Sequence, residues 1–495
     1  MRGDHEQDYF FTVLISILTF FLFSCYTTTT EYEEDGPFED AIRTAAEARG
    51  LKLPLNDEEF EQLPIELQEF EVAYELLDLF YLYAHMKHEL GDRNDYFAKA
   101  GYIPLYQDYP AEFRDIYYMF DQMSCPFTNY FDPSFYEAIS DLLFYSDYGV
   151  GFGVRLDTIE HAPNAEAVIA NVYPQGPAKD AGLMEGDIIV SIDRKSVTRS
   201  TFEQIETTSK DGDVYQFDIL RGEDTLTVDI TAGQVQAPTV FVNYRGDIPI
   251  ITITEFTDTT TMVTGTYGEF KEALEQTAGA KATIINLADN GGGSVNLCEP
   301  MAAEFLPENT VLGYAISAEI DSSRNDYKQR IDTTIMVPSD FGKTGDGIAK
   351  DRYVVFIENG ETASCSELMI SAVTAARNAP VVGTRSYGKG IGQYYIPTVA
   401  GGFAGVTSVQ FLDKNRDSYH TFGIEPDVVK TTLKESVDEA FRIAEEATMV
   451  RTAGYGDSPT GHFPALTRKV GGKPQLNRRD HFGAFKVIKS PIHSK

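Results

Sequence analysis

The 495-residue sequence is poor in the residues that define several classes of protein. Four cysteines in a chain of this length exclude a scaffold built on many disulfides. The 41 Lys and Arg residues are outnumbered by 76 Asp and Glu residues, and the net charge of −35 would repel nucleic acid over most of the surface. None of the eight histidines has a spacing to Cys or Glu that is typical of a zinc site. The remaining composition, 42% apolar and 24% charged, is that of a globular protein of about two to four domains.

Long hydrophobic runs are also missing. The longest, FFTVLISILTFFLF at residues 10–23, would rise only about 21 Å as a helix, less than the roughly 30 Å of a bilayer core. Its length is typical of a secretory signal peptide, and the following Leu22–Cys25 resembles a bacterial lipobox in which Cys25 is lipidated. We therefore expect a protein of the cell envelope, lipid-anchored to a bacterial membrane and facing the periplasm or the exterior. Because the residues before the run are mainly acidic, a short uncleaved anchor and a cytosolic protein stay open as alternatives.

After this segment, the sequence pattern is first that of helices and then that of short strands. Residues 36–147 carry apolar side chains at three- and four-residue spacings, which predicts helices with an aromatic-rich core. The string NYFDP at 129–133 predicts a turn before a helix that begins near Ser134. From Tyr148 onward, short alternating strands are separated by glycine turns. A protein of mixed α/β class, with several domains, is expected.

The string GPAKDAGLMEGDIIVSID at 176–193 resembles a PDZ domain, and the resemblance covers about 148–235. Such a domain accepts an extended peptide at a sheet edge and captures its carboxylate with backbone amides of a glycine-rich loop. The resemblance implies that Gly149, Val150, Gly151 and Phe152 bind the peptide. A small sheet domain that only packs is the alternative.

Beyond residue 237, strands and helices alternate until about residue 448, which predicts a sheet covered by helices. Strands are expected at 250–253, 282–287, 353–357 and 381–382, and helices at 266–277 and 367–377. Three polar or glycine-rich segments follow these strands: DNGGG at 289–293, ETASCSEL at 361–368 and SYGKGIGQ at 386–393. Taken singly, DNGGG is typical of a flexible turn, ETASCSEL of a helix cap and SYGKGIGQ of a solvated turn.

In order and spacing, these three segments together resemble the carboxyl-terminal processing proteases, also called tail-specific proteases, over roughly 110–448. In that family a PDZ domain precedes a crotonase-like core of βαβ units with a serine–lysine dyad. The resemblance implies that Ser364 is the nucleophile, Lys389 the base and Gln393 the residue that orients the lysine. The backbone amides of Gly292 and Cys365 would form the oxyanion hole.

The sequence departs from the family pattern at the glycine-rich loop. Asn286 replaces an aspartate, Ala288 an arginine and Gly291 a proline, and Cys365 stands where a small residue is usual. Because the changes at Ala288 and Gly291 loosen a turn that should be rigid, a second hypothesis is a catalytically degenerate envelope lipoprotein that binds peptides without cleaving them. A third is a structural envelope protein that docks on anionic surfaces through its basic carboxyl-terminal tail. His420 could approach the cleft, although an ordinary histidine is the simpler reading.

The resulting prediction is an exported serine endopeptidase that needs no cofactor and no metal. The expected domains are a signal peptide with lipobox (1–25), a tether and helical region (26–147), a PDZ domain (148–236), a protease core (237–448) and a basic tail (449–495). Its partners would be proteins or peptides with free C-termini and, through the lipid, a membrane, but not nucleic acid; a homo-oligomer stays open. For Lys389 to accept a proton at pH 7, its pKa must fall about three units from about 10.4.

Overall fold

A computed structural model describes residues 36–452 apart from internal gaps at 135–147, 150–151, 157–166, 174–175, 185, 198–204, 206–208, 236–237, 259, 261–263, 322–327, 338 and 340–342. The predicted signal peptide, Cys25 and most of the basic tail lie outside the described residues. Of the helix expected near Ser134, only residues 133 and 134 are described, and both are helical. Within them, no helix is long and apolar enough to cross a membrane.

The first part of the described chain is helical, as predicted. Its α-helices are α1 (Pro37–Ala48), α2 (Asp57–Phe60), α3 (Ile65–Phe80), α4 (Leu82–Met86), α5 (Arg93–Tyr96) and α6 (Arg114–Asp121). Short 3-10 turns lie at Ala100–Tyr102, Pro104–Tyr106 and Ala111–Phe113. Aromatic rings fill the core of this region, with Phe38, Phe70 and Phe97 mutually in contact at 5.1 Å between ring centroids. The aromatic stripe is therefore a packed core.

The predicted turn at 129–133 is wrong in its first half. Asn129–Phe131 is strand β1, which pairs antiparallel with residues 403–405. Tyr130 is buried in the core shared by the helical region and this sheet. A three-residue strand has no detectable alternation of its own, so only its distant partner defines it.

The segment predicted to be a PDZ domain forms its own sheet over a small apolar core. Its strands are β2 (Tyr148–Gly149), β3 (Phe152–Leu156), β4 (Ala167–Val172), β5 (Ile188–Ile192), β6 (Lys195–Ser196), β7 (Val214–Arg221), β8 (Asp224–Thr231) and β9 (Gly233–Gln234), with the short helix α7 (Pro177–Asp180). The sheet order is β3-β4-β5-β7-β8, and β2 pairs with β9. Among the described strands, β3 therefore lies at an edge of this sheet.

The following region is built on a six-stranded sheet in the order β10-β11-β12-β15-β16-β19. The strands are β10 (Val240–Arg245), β11 (Ile248–Ile253), β12 (Ala282–Asn286), β15 (Tyr353–Glu358), β16 (Val381–Gly383) and β19 (Val428–Val429). All pairs from β11 to β19 are parallel. Strands β12 and β15 are buried at every residue, as expected of a parallel sheet that is covered on both faces.

Helices cover both faces of this parallel sheet. They are α8 (Gly265–Gln276), α9 (Val295–Ala303), α10 (Cys365–Ala376) and α11 (Leu433–Thr452). The first three pack on one face and α11 on the other. The helices predicted at 266–277 and 367–377 are confirmed within two residues.

A second sheet completes the core. It contains β13 (Gly313–Asp321), β14 (Lys328–Met336), β17 (Ile391–Pro397) and β18 (Phe403–Leu412), and β1 pairs with the first residues of β18. Ile396, Ala404 and Val406 from this sheet belong to the same apolar cluster as the helical region. The amino-terminal helices and the carboxyl-terminal core therefore share one hydrophobic interior.

Candidate active site

The three segments singled out in the sequence meet because they follow neighbouring parallel strands. The loop 289–293 follows β12, the segment 361–364 follows β15, and the turn 384–390 follows β16. These strands are adjacent in the sheet, so their carboxyl ends lie at one edge. Crevices at such edges are the usual ligand sites of open parallel sheets.

Ser364 lies at the sharp junction between β15 and α10. Its backbone has φ 54° and ψ −114°, a conformation that is rare for a residue with a side chain and that costs free energy. It immediately precedes the first residue of α10, where free N–H groups favour negative charge. Among the described residues, no hydrogen-bond acceptor is present for the Cys365 N–H at this helix start. One of the two predicted oxyanion donors is thus available.

The glycine-rich loop lies directly against Ser364. Gly292 has φ 108°, and a methyl group at this position would lie 2.7 Å from Cβ of Ser364 and 3.0 Å from the Cys365 nitrogen. Only glycine fits here, which explains one glycine of the motif. The N–H of Gly292, however, donates a 2.9 Å hydrogen bond to Oδ1 of Asn290 in its own loop. Its predicted role as an oxyanion donor stays a prediction.

The loop is held in place although it has lost the arginine and proline of the family pattern. Asn290 is fully buried, and its carbonyl accepts from the Ala363 N–H and the Ser366 hydroxyl, each at 3.0 Å. Its side-chain amide donates to the Ile253 carbonyl at 2.9 Å. Phe256 pairs with the far end of the loop through backbone bonds to Gly292 O and Ser294 N. Contacts to the nucleophile segment therefore replace the missing rigidity.

A disulfide between Cys298 and Cys365 adds a covalent connection that no pattern in the sequence had indicated. It joins α9, which follows the glycine-rich loop, to the first residue of α10. Both cysteines are buried, and the third described cysteine, Cys125, is free and buried. The unusual residue after Ser364 thus has a structural partner, and its thiol is not available as a nucleophile.

Glu367 is the main residue that sequence reasoning missed. Its fully buried carboxylate accepts four hydrogen bonds, from Ser364 N (2.9 Å), Ser386 Oγ (2.5 Å), Gly388 N (2.6 Å) and Lys389 N (2.8 Å). Burial raises the pKa of Glu367 to about 7, while these donors favour the ionised form. The one signal in the sequence is an acidic residue three positions after a helix-capping serine.

Lys389 lies in the turn after β16, with a mostly buried side chain. Burial lowers the pKa of Lys389 to about 8, against the effect of the nearby Cys125 and Glu367. Its Nζ lies 5.1 Å from the centre of the Phe127 ring. In the described part of the chain, no carboxylate forms an ion pair with this amine. The lysine is therefore in the environment that a base requires.

Two further predicted residues lie beside this turn. The Gln393 side chain donates to the Phe127 carbonyl, and among described residues no hydrogen bond joins it to the Lys389 amine. Its role in orienting the lysine stays a prediction. The buried His420 contacts the Phe127 ring at 6.2 Å between ring centres, and burial lowers its pKa to about 4. It is therefore neutral at pH 7.

The predicted peptide-binding residues are only partly described. Gly149 pairs with Gly233, and Phe152 pairs with Val172 on the edge strand β3. Val150 and Gly151 lie outside the described residues, and no group of His, Cys, Asp and Glu that could hold a metal ion occurs in the part that is described.

Comparison with known families defines the class of this protein. Residues 247–430 match the model of Peptidase family S41, and residues 149–232 match that of a PDZ domain. These matches fall within the predicted core and PDZ segments. The resemblance seen in the motifs is confirmed: the chain contains a segment that matches the S41 peptidases and, before it, a PDZ domain.

Individual relatives agree with this assignment. A "Probable CtpA-like serine protease" of Staphylococcus haemolyticus (strain JCSC1435) is 23% identical over 323 residues, which cover 63% of this chain and 60% of that protein. One of the same name from Staphylococcus aureus (strain MSSA476) is 23% identical over 390 residues, 74% of this chain and 72% of that protein. Among solved structures, a Bacteroides fragilis chain assigned to the S41 proteases is 13% identical and superposes with a TM-score of 0.52, covering 77% of this chain and 97% of that one. The last similarity concerns the fold.

Proposed function

We propose that this chain is a serine endopeptidase that cleaves proteins or peptides through a Ser364–Lys389 dyad. The observation that carries the proposal is the double contact of Glu367, whose carboxylate accepts the backbone N–H groups of both Ser364 and Lys389. A single buried side chain thus connects the two turns that would supply nucleophile and base. Structural needs of the sheet alone do not require this connection.

The chemistry follows from the two side chains. Neutral Lys389 takes the proton of the Ser364 hydroxyl as the serine oxygen attacks the carbonyl carbon of the scissile peptide bond. The resulting oxyanion accepts from the Cys365 N–H, and the protonated lysine then gives its proton to the leaving amine. Water hydrolyses the acyl-enzyme and regenerates the serine. Removing one oxyanion donor in enzymes of this kind costs about 3–4 kcal/mol.

The PDZ domain would supply the substrate. An extended peptide can add to the edge strand β3, with its carboxylate held by the segment Gly149–Phe152. The substrates proposed are therefore proteins recognised through C-terminal or unfolded tails. Support for this role comes from the PDZ match and from the edge position of β3.

We also propose export and lipid anchoring at Cys25, on the basis of the apolar run and the lipobox alone. A Cys25→Ser chain should lose incorporation of labelled palmitate and leave the membrane fraction. Membrane retention of that variant would contradict the anchor.

The test of the enzymatic proposal is cleavage of an unfolded protein by the chain from residue 26 onward, which keeps every described residue. Ser364→Ala and Lys389→Ala should each lower the rate by at least about a thousandfold. A Ser371→Ala variant, on the same helix two turns away, is the matched control and should stay active. Full cleavage by Ser364→Ala would overturn the assignment.

One observation favours a second candidate, a protein that binds peptides without cleaving them. The Gly292 N–H donates a hydrogen bond to Asn290 Oδ1 in its own loop, so this donor is already used. In this case the unmutated chain would bind C-terminal peptides but show no cleavage and no labelling of Ser364 by a fluorophosphonate. Labelling that disappears in Ser364→Ala would exclude it.

A further inference from the structure

The turn Cys125–Thr128 brings an aromatic ring from the amino-terminal region to the proposed base. The Phe127 ring centre lies 5.1 Å from Lys389 Nζ, and it also contacts the rings of Tyr387 and His420 at 6.1 and 6.2 Å. Both neighbours flank the lysine turn. Phe127 therefore packs over the lysine from outside the peptidase core.

The position of Phe127 is fixed from both sides. The Gln393 side chain donates to the Phe127 carbonyl, and the Thr407 N–H donates to Thr128 Oγ1 at 3.1 Å. Cys125 Sγ lies 3.1 Å from Thr407 Oγ1, and the Cys125 N–H donates to the Tyr81 hydroxyl. Strand β1 follows directly and pairs with β18. The ring thus sits on a well-anchored turn and not on a free loop.

We propose that Phe127 is a positioning residue that keeps water from the Lys389 amine and so holds the lysine in its neutral, proton-accepting form. This inference deepens the proposed function and rests on it. The predicted role of Gln393 changes accordingly: it acts on the lysine through the Phe127 backbone.

The sign of the effect depends on two opposed influences of the ring. An aromatic face attracts an ammonium group, which raises the pKa by less than about one unit at exposed sites and by about 1.5 units when the pair is desolvated. Exclusion of water favours the neutral amine and shifts buried lysines by up to about 3–5 units. Exclusion of water is the larger influence, so removing the Phe127 ring should raise the pKa of Lys389.

Other titratable groups around the amine do not explain its lowered pKa. Cys125 reaches it from the turn before β1, Glu367 from α10, His420 from the turn after β18, and Tyr387 from its own turn. Cys125 and Glu367 favour the charged lysine, and the buried His420 is neutral at pH 7. Of these influences, only burial lowers the pKa of Lys389.

The kinetic test compares kcat/KM from pH 6 to 10 for the full chain in detergent and three variants. Phe127→Ala should displace the rising limb of the pH profile to higher pH by about one unit. Its kcat/KM should therefore be about tenfold lower than that of the unmutated chain at pH 7 and about equal to it near pH 10. Phe127→Leu keeps an apolar cover and should leave the limb in place or slightly lower. Phe131→Ala, four residues along on the same segment, should not displace it.

A second measurement reads the lysine without activity. In a Ser364→Ala background, the rate of acetylation of Lys389 by acetic anhydride is followed against pH by mass spectrometry. The apparent pKa should be about one unit higher with Phe127→Ala than with Phe127→Leu. An equal pKa in both, or an equal displacement by Phe131→Ala, overturns the inference.

Failure of the proposed function and failure of the role of Phe127 give different results. An unmutated chain without proteolytic activity, whose lysine still responds to Phe127→Ala, would refute the proposed function and leave Phe127 as a cover of the lysine. Proteolysis with a rising limb that is identical in all variants would confirm the function and refute the role of Phe127. If the Phe127→Ala chain does not fold, Phe127→Tyr is measured instead. This variant keeps the ring and should have the pH profile of the unmutated chain. A rising limb displaced by one unit to higher pH in Phe127→Tyr would contradict the inference.

Discussion

The two halves of the candidate site are held in different ways. The serine and lysine turns are joined mainly by one buried carboxylate, Glu367, which accepts four hydrogen bonds from residues of both, and by one backbone bond from the Tyr387 N–H to the Thr362 carbonyl. The glycine-rich loop is held by its own Asn290, by backbone bonds to Phe256 and by the disulfide behind it. In the first half, most of the connections run through one side chain, whereas the second half depends on several smaller contacts.

This difference indicates where substitutions are tolerated. A loop with distributed support can lose two residues of the family pattern, at Ala288 and Gly291, and keep its place against Ser364. The proposed dyad has less redundancy, because the same carboxylate accepts the backbone N–H groups of both Ser364 and Lys389. Catalytic activity should therefore be more sensitive at Glu367 than at any single position of the loop.

The largest effect is expected for Glu367→Gln. An amide nitrogen cannot accept the N–H groups that point at it, so at least two buried donors lose their acceptor, at about 1–3 kcal/mol each. We expect kcat/KM to fall by at least about a hundredfold, together with a lower melting temperature. Glu361→Gln, an exposed neighbour on the same segment, is the control and should behave like the unmutated chain. Equal activity of the two variants would contradict the proposed difference between the two halves of the site.

Loss of the disulfide should act mainly on stability. The bond closes 67 positions of chain, for which the entropic estimate is about 4 kcal/mol and typical measured values are about 2–4 kcal/mol. The double variant Cys298→Ala, Cys365→Ala should unfold at lower denaturant concentration, with less than a tenfold change in kcat/KM. Dithiothreitol should lower the midpoint of the unmutated chain and not that of the variant.

A smaller loss of activity is expected for Gly292→Ala. The new methyl group would meet Cβ of Ser364 at 2.7 Å in a backbone conformation that disfavours side chains. We expect kcat/KM to fall by about tenfold to a hundredfold as the loop moves away from the serine. Gly360→Ala has nothing within 4 Å of the added carbon and should be neutral. A fully active Gly292→Ala would show that the loop position does not matter for catalysis.

The smallest effect is the dependence on pH. Because burial lowers the pKa of Lys389 to about 8 and only the neutral amine accepts a proton, kcat/KM should rise about tenfold per unit below pH 8 and level off above it. The profile is measured with a peptide that has no titratable group in this range. A rate that is constant from pH 6 to 9 would argue against Lys389 as the base.

Much of the peptidase core could be predicted because its signals are local. Buried strands such as Ala282–Asn286 appear as continuous apolar runs, and the segments that follow them must meet at one sheet edge. The pairing of Ser364 with the glycine-rich loop followed from that rule together with the family resemblance.

The remaining features depend on contacts between distant residues and have no local signature. Strand β1 is defined by residues 403–405, and the disulfide partner of Cys365 could not be chosen from spacing alone. Glu367 looked like one half of a helix cap, because its bonds to the lysine turn span about 20 positions. The turn at 125–128 gave no indication that it would approach Lys389.

The pairing between the amino-terminal region and β18 has a consequence for how the protein is made. Phe127 and Gln393 are 266 positions apart, so the cover over Lys389 cannot assemble until most of the chain has left the ribosome. Until then the lysine lies open to water, protonated and unable to activate Ser364. On the proposed roles of Phe127 and Lys389, proteolytic activity is therefore expected only once these two distant parts of the chain have come together.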